Sequence, residues 1–80
     1  MPRTQISSYT MLQRIIYICR KISAETYPNT NGLAEFLECS EGTIFRDLRF
    51  LRDRMDAPIE WDRKRNGYYY SRPWSLSMNL

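Results

Sequence analysis

Two stretches with the apolar spacing of helices, residues 32–38 and 41–55, are separated only by a break of about three residues around Cys39-Ser40. A break that short joins two helices at a steep angle about one shared apolar patch, and few folds use it. In the first stretch Leu33, Ala34 and Leu37 point inward, and Ala34 is small enough to let another helix come close. Thr30 or Asn31 is expected to cap it. Ser40 is the cap candidate of the second, where Thr43 stands in place of the Glu or Gln of a full capping box.

A further helix is expected before these, over residues 8–24, capped by Ser7 or Ser8. Its apolar stripe is Leu12, Ile15, Ile16, Cys19 and Ile22, with Arg14, Arg20 and Lys21 off the stripe. Residues 25–29 break it, since Pro28 disfavours helical geometry in the residue before it. Beyond the third helix, Ala57-Pro58 stops helical structure. Residues 59–62 then read as a strand, with Ile59 and Trp61 on one face. Asn66-Gly67 is a strong turn signal, and Tyr68-Tyr69-Tyr70 is the returning strand. The expected fold is therefore α+β, a winged helix-turn-helix of three helices followed by a two-stranded β-hairpin wing. It is expected to span residues 1–72, with residues 73–80 a linker or tail. Eighty residues hold one modest core and leave little room for an enclosed active-site pocket.

At about 100° per residue, Ile44, Leu48, Leu51 and Met55 of the third helix share a narrow arc that must face the core. Gly42, Arg46, Arg49 and Asp53 lie opposite. Phe45 and Arg52 flank one edge of the core arc; Thr43, Phe50 and Arg54 line the other. A solvent face with arginines at i and i+3 and a glycine near its start suits a helix laid in the major groove of DNA; the alternative is a solvated face whose arginines pair with nearby acids. The planar arginine fork matches the paired acceptors of guanine or phosphate. Thr43 is suited to a phosphate or a thymine methyl. Phe45 either meets a thymine methyl or packs on the second helix. Asp47 is expected to be structural, paired with an arginine or with the positive end of its own helix.

Arg63, Lys64 and Arg65 are consecutive at the hairpin tip, where their mutual repulsion favours a phosphate backbone opposite; the plainer alternative is a polar turn that keeps the edge soluble. Trp61, Tyr68 and Tyr70 are expected to anchor the hairpin to the helices. The net charge of +3 is modest, but its distribution is uneven. Residues 22–45 carry four acids and no base, whereas residues 46–72 carry eight bases against five acids. Presented to one side, the latter segment suits docking on phosphates.

Cys19 and Cys39 both sit in apolar patterns and are expected as buried, reduced thiols rather than a disulfide. With no histidine and no Cys-x-x-Cys pair, neither a metal nor a cofactor is expected. No nucleophile–base spacing and no phosphate-binding glycine loop suggests catalysis, so no catalytic residue is assigned and the chain is expected not to be an enzyme. No stretch has the length of a membrane span and Met1-Pro2-Arg3 opens no signal peptide, so a cytoplasmic protein without membrane contact is expected.

Residues 33–51, Leu-Ala-Glu-Phe-Leu-Glu-Cys-Ser-Glu-Gly-Thr-Ile-Phe-Arg-Asp-Leu-Arg-Phe-Leu, resemble the helix-turn-helix signature of WYL-domain and related DeoR-type transcriptional regulators. That pattern runs Leu-Ala-x-x-Leu to a Ser, then Thr-Ile-x-Arg-Asp-Leu-x-x-Leu. Its most specific part here is Thr43-Ile44-x-Arg46-Asp47-Leu48. Pro58-Ile59 and Asn66-Gly67-Tyr68 resemble the family's wing, while Cys39 stands where an aliphatic residue is usual. The resemblance implies a homodimeric repressor or activator whose third helix enters the major groove, with Ser40, Thr43 and Arg46 facing DNA. It also implies an effector-binding domain outside this chain, with residues 73–80 leading toward it.

The first expectation for function is sequence-specific double-stranded DNA binding, as the reading head of a bacterial transcriptional regulator. Helix 41–55 would lie in the major groove and hairpin 59–71 on the backbone. The expected contacts are Ser40, Gly42, Thr43, Phe45, Arg46, Arg49, Arg63, Lys64 and Arg65. The alternative is a winged-helix protein–protein interaction module, for which Phe45 and Phe50 are the best support. An RNA-binding winged helix is a third option, and the DNA-binding part of a biotin-ligase-type repressor would look similar.

Overall fold

Each helix begins at a side chain that accepts one of the N–H groups the first turn leaves unpaired. Thr10 caps α1 (Met11–Ser23): its Oγ1 accepts the Gln13 N–H at 3.1 Å while Gln13 accepts the Thr10 N–H at 2.9 Å. Asn29 caps α2 (Thr30–Leu37), accepting the Gly32 N–H at 2.8 Å. Ser40 caps α3 (Glu41–Arg54), accepting the Thr43 N–H at 3.1 Å. The computed structural model describes residues 9–79, so Ser7 and Ser8, expected as caps, lie outside the described residues. At α2 the expected caps are displaced: Asn29 takes the role, and Thr30 and Asn31 are inside the helix.

After α3 the chain forms β1 (Ile59–Asp62) and β2 (Gly67–Tyr70), paired antiparallel with Ile59 opposite Tyr70 and Trp61 opposite Tyr68. Three helices followed by a two-stranded hairpin make an α+β winged-helix layout. The turn between α2 and α3 passes through Glu38, whose left-handed backbone (φ 55°) ends α2 and redirects the chain.

The core lies where α1, α2, α3 and the hairpin meet. Ile18, Ile22, Leu37, Ile44, Leu48 and Leu51 are almost wholly enclosed there. Leu33, Ala34 and Leu37 of α2 are buried as expected, and so are Ile44, Leu48 and Leu51 of α3 with Met55 half-buried beside them. On α1 the expected stripe is rotated. Ile15, Ile18, Cys19 and Ile22 are buried, while Leu12 is 60% and Ile16 38% exposed. The buried arc centres between Ile15 and Ile22 because α1 packs on both α3 and β2. Leu12 and Ile16 fall beyond that arc's edge. Cys19 and Cys39 are both buried and unbridged, and burial pushes each thiol above its ordinary pKa.

The hairpin joins the helices through its second strand. The Tyr68 N–H donates to the Pro28 carbonyl at 2.8 Å, in the segment between α1 and α2. Gly67 is required by this crossing. A Cβ there would lie 1.9 Å from the Tyr27 carbonyl oxygen, although the backbone of Gly67 has no positive φ. The left-handed residue of the turn is Asn66 (φ 56°), while Gly67 already pairs with Asp62 in the sheet. Asn66-Gly67 thus marks a turn by bending at Asn66 and packing at Gly67.

Tyr68 is buried and Tyr70 half-buried as anchors, but Trp61 is 42% exposed. It stands nearer the hairpin tip, where its ring meets Tyr68 edge-on at 4.9 Å. Past the hairpin the chain returns to the core. Trp74 is 7% exposed, donates from Nε1 to the Met55 carbonyl at 3.2 Å and packs edge-on against Tyr70. Leu76, at the start of a short 3-10 turn (Leu76–Asn79), packs beside it. The core therefore reaches past Arg72, into residues expected as linker or tail. Among the described residues, no helix is long and apolar enough to cross a membrane.

Candidate nucleic-acid interface

The outer face of α3 is built from its cap onward. The Ser40 hydroxyl that caps the helix lies 3.1 Å from Thr43 Oγ1, which in turn accepts from Arg46 Nη2 at 3.4 Å. Ser40, Thr43 and Arg46 therefore form one connected polar row rising along the first two turns. Gly42 is exposed beside it. A Cβ there would meet Ser40 Oγ at 3.6 Å and Arg46 Nη1 at 4.0 Å, both ordinary contacts, so nothing inside the fold demands glycine. Arg49 continues the face one turn on and makes no hydrogen bond or ion pair among the described residues. Phe45 is 53% exposed and takes no ring partner among the described residues, so of its two expected placements the outward one is observed.

Asp47 lies between Arg46 and Leu48 yet is turned inward and is only 2% exposed. Arg14 of α1 grips it with two hydrogen bonds, Nε to Oδ2 at 2.6 Å and Nη2 to Oδ1 at 3.1 Å. Arg14 also donates to the Tyr9 carbonyl at 3.3 Å, and its hydrogen bond to Asp47 raises the Arg14 guanidinium above its ordinary pKa. This is the structural pairing expected for Asp47, with the partner supplied by another helix. It keeps the Asp47 carboxylate turned away from Arg46 and Arg49, while Asp53 is exposed one turn beyond Arg49.

The hairpin tip divides the basic triplet. Asp62 closes the turn by accepting the Lys64 N–H at 2.9 Å and the Arg65 N–H at 3.0 Å. Arg65 reaches back to the same carboxylate at 3.0 Å and lies over the Tyr27 ring, 4.8 Å from its centre. The Arg65 N–H, with the guanidinium and the Lys64 N–H, holds the Asp62 carboxyl below its ordinary pKa. Arg63 and Lys64 side chains are exposed, with no partner among the described residues. The triplet is thus two free cations and one that also braces the turn.

Among the described residues, no hydrogen bond or ion pair links the Ser40, Thr43 and Arg46 row to the hairpin tip. Arg52 ties α3 to the hairpin base: its Nε donates to the Ile59 carbonyl at 3.2 Å, and its guanidinium lies 6.0 Å from the Tyr68 ring centre. Glu41, which sequence reasoning passed over, is exposed at the first position of α3, on the side toward α2. Its two carboxylate oxygens accept from Thr30 Oγ1 at 2.9 Å and Asn31 Nδ2 at 3.3 Å. The only sequence signal for this clasp was two polar residues ten and eleven positions upstream, which local rules read as caps. Comparison of the chain with protein-family models, with curated proteins and with solved structures finds no match.

Proposed function

We propose that this chain is a sequence-specific duplex DNA-binding domain, a binding module and not an enzyme, with α3 in the major groove and the β1–β2 tip on the phosphate backbone. The observation that carries the proposal is the inward capture of Asp47 by Arg14. Residues 42–49 of α3 then present Thr43, Phe45, Arg46 and Arg49 outward with no free carboxylate among them. Arginines on such a face serve for base edges or phosphates, and the exposed Arg63 and Lys64 supply cations for the backbone. The resemblance of residues 33–51 to WYL-domain and DeoR-type regulators agrees with this proposal. It extends the proposal to a cytoplasmic, homodimeric transcription regulator with an effector domain elsewhere.

The test is duplex binding by fluorescence anisotropy across a series of salt concentrations. Affinity should fall with salt, with log K changing by about −0.9 per phosphate contact. Changing Arg63 and Lys64 to Ala should flatten that slope by about 2, and Arg46→Ala should relax sequence preference. A second function is favoured by one observation: Phe45 and Phe50 are 53% and 36% exposed on the edges of α3. No duplex binding at low salt would give the protein-interaction function first place.

A further inference from the structure

We infer that Glu41 is a specificity-determining side chain that reads cytosine through the N4 amino group in the major groove. The inference rests on the duplex-binding proposal above. It names a base contact that neither the arginines nor the hydroxyl row supplies.

Glu41 is the first residue of α3, directly after the Ser40 cap, and it is exposed. That is the end of a groove-bound helix that meets base edges. Free glutamates are mobile, and fixing one on binding costs side-chain entropy. Here the carboxylate is already held, one oxygen by Thr30 and the other by Asn31, both from the first turn of α2. A carboxylate has about four lone-pair sites. Two are occupied by these donors, so each oxygen keeps a further acceptor position.

Charge then decides what such a group accepts. Near a phosphate backbone a carboxylate is repelled, so it is tolerated only where a donor meets it. In the major groove guanine offers N7 and O6 and thymine offers O4, all acceptors; donors come only from cytosine N4 and adenine N6. Glu41 therefore rejects guanine and thymine by acceptor–acceptor repulsion. Between the two donor bases, cytosine is the one that presents no acceptor atom beside its amino group, whereas adenine brings N7. The favourable end of the helix dipole explains an acid in the first turn, but it calls for no second helix to supply a donor to each oxygen.

The experiment selects duplexes from a randomised pool with the intact chain, with Glu41→Gln, with Glu41→Ala and with Thr30→Val, alongside melting curves for each. The wild type should enrich a motif with cytosine at one position. Glu41→Gln should move that position toward adenine, whose N6 and N7 suit an amide, and leave the others unchanged. Glu41→Ala should lower discrimination against guanine there by about ten- to hundredfold. Thr30→Val should keep the cytosine but sharpen it less, as expected of a positioning residue. If the wild type enriches a motif that all three variants reproduce at every position, Glu41 is only a clasp between α2 and α3 and the inference fails, while the duplex-binding proposal stands. That outcome overturns it even where the variants melt at lower temperature. If the wild type enriches nothing, the binding proposal itself fails, and the inference with it.

Discussion

Breaking the Arg14–Asp47 pair should show an asymmetry set by burial. Asp47 is 2% exposed and Arg14 14%, so the two partners lose different things when left alone. Arg14→Met strands a carboxylate that water does not reach. At a separation near 4 Å the pair's attraction is about 4 kcal/mol in a medium of dielectric about 20. Removing one partner of a buried pair costs about 3–5 kcal/mol. The partial exposure of Arg14 argues for the low end, about 3 kcal/mol. Asp47→Asn keeps an acceptor beside Arg14, and the guanidinium still has the Tyr9 carbonyl and some water, so about 1–2 kcal/mol is expected.

The double change should be milder than Arg14→Met alone, because a neutral amide is less costly to bury than a carboxylate. Urea unfolding followed by tryptophan fluorescence is a suitable assay, since Trp74 is in the core and makes its hydrogen bond to the end of α3. For 80 residues total stability is about 4–12 kcal/mol, so a 3 kcal/mol loss is readily measured. The two single changes should be non-additive by about 2 kcal/mol. Additivity within about 0.5 kcal/mol, or a double variant less stable than Arg14→Met, would refute the reasoning. In that case the pair would hold α1 to α3 by shape alone.

Three other outcomes are expected. Gly42→Ala should raise stability by about 0.5 kcal/mol, since a Cβ fits there and alanine is the better helix former, yet weaken duplex binding if DNA approaches this turn; unchanged affinity would place the duplex elsewhere. Tyr70 Oη is buried near Cys19 and Ser23 and makes no hydrogen bond of proper geometry, so Tyr70→Phe should be neutral or stabilising by up to about 1 kcal/mol in the same urea titration. A loss above that would mean the hydroxyl is satisfied. The third outcome concerns alkali. Burial raises the pKa of Cys19, Cys39, Tyr68 and Tyr70 in the folded state. The unfolded chain therefore releases these protons first. Stability should be full below the ordinary values of 9.0 for the thiols and 10.0 for the phenols and decline as pH rises past them. A melting temperature constant from pH 7 to 11 would contradict this.

Much of the architecture was legible because it is written in local chemistry. The spacing of Leu33, Ala34 and Leu37, and of Ile44, Leu48 and Leu51, sets one apolar face per helix, and those faces are the buried ones. Ser40 capped where its neighbours implied, and Asp47 took the structural role that a carboxylate next to outward arginines must take. The displaced details are those that depend on who sits opposite. Leu12 and Ile16 carry the right spacing for the core, but α1 is shared between α3 and β2, and that division turns them outward. Trp74 follows no periodic pattern because its place is set by two distant contacts, the ring of Tyr70 and the carbonyl of Met55.

By itself, then, the amino-acid order determined the three helices, the short break around Cys39-Ser40, the hairpin and the arginine face of α3. These are properties of residues within a few positions of one another, where backbone geometry alone makes neighbours. Tertiary structure decided which arginine captures Asp47, why position 67 must be glycine, which of the three tip cations is tied to Asp62 and Tyr27, and that Thr30 and Asn31 hold Glu41. Such pairings join atoms supplied by different elements, some more than thirty residues apart, and only the packing of those elements brings them within hydrogen-bond reach.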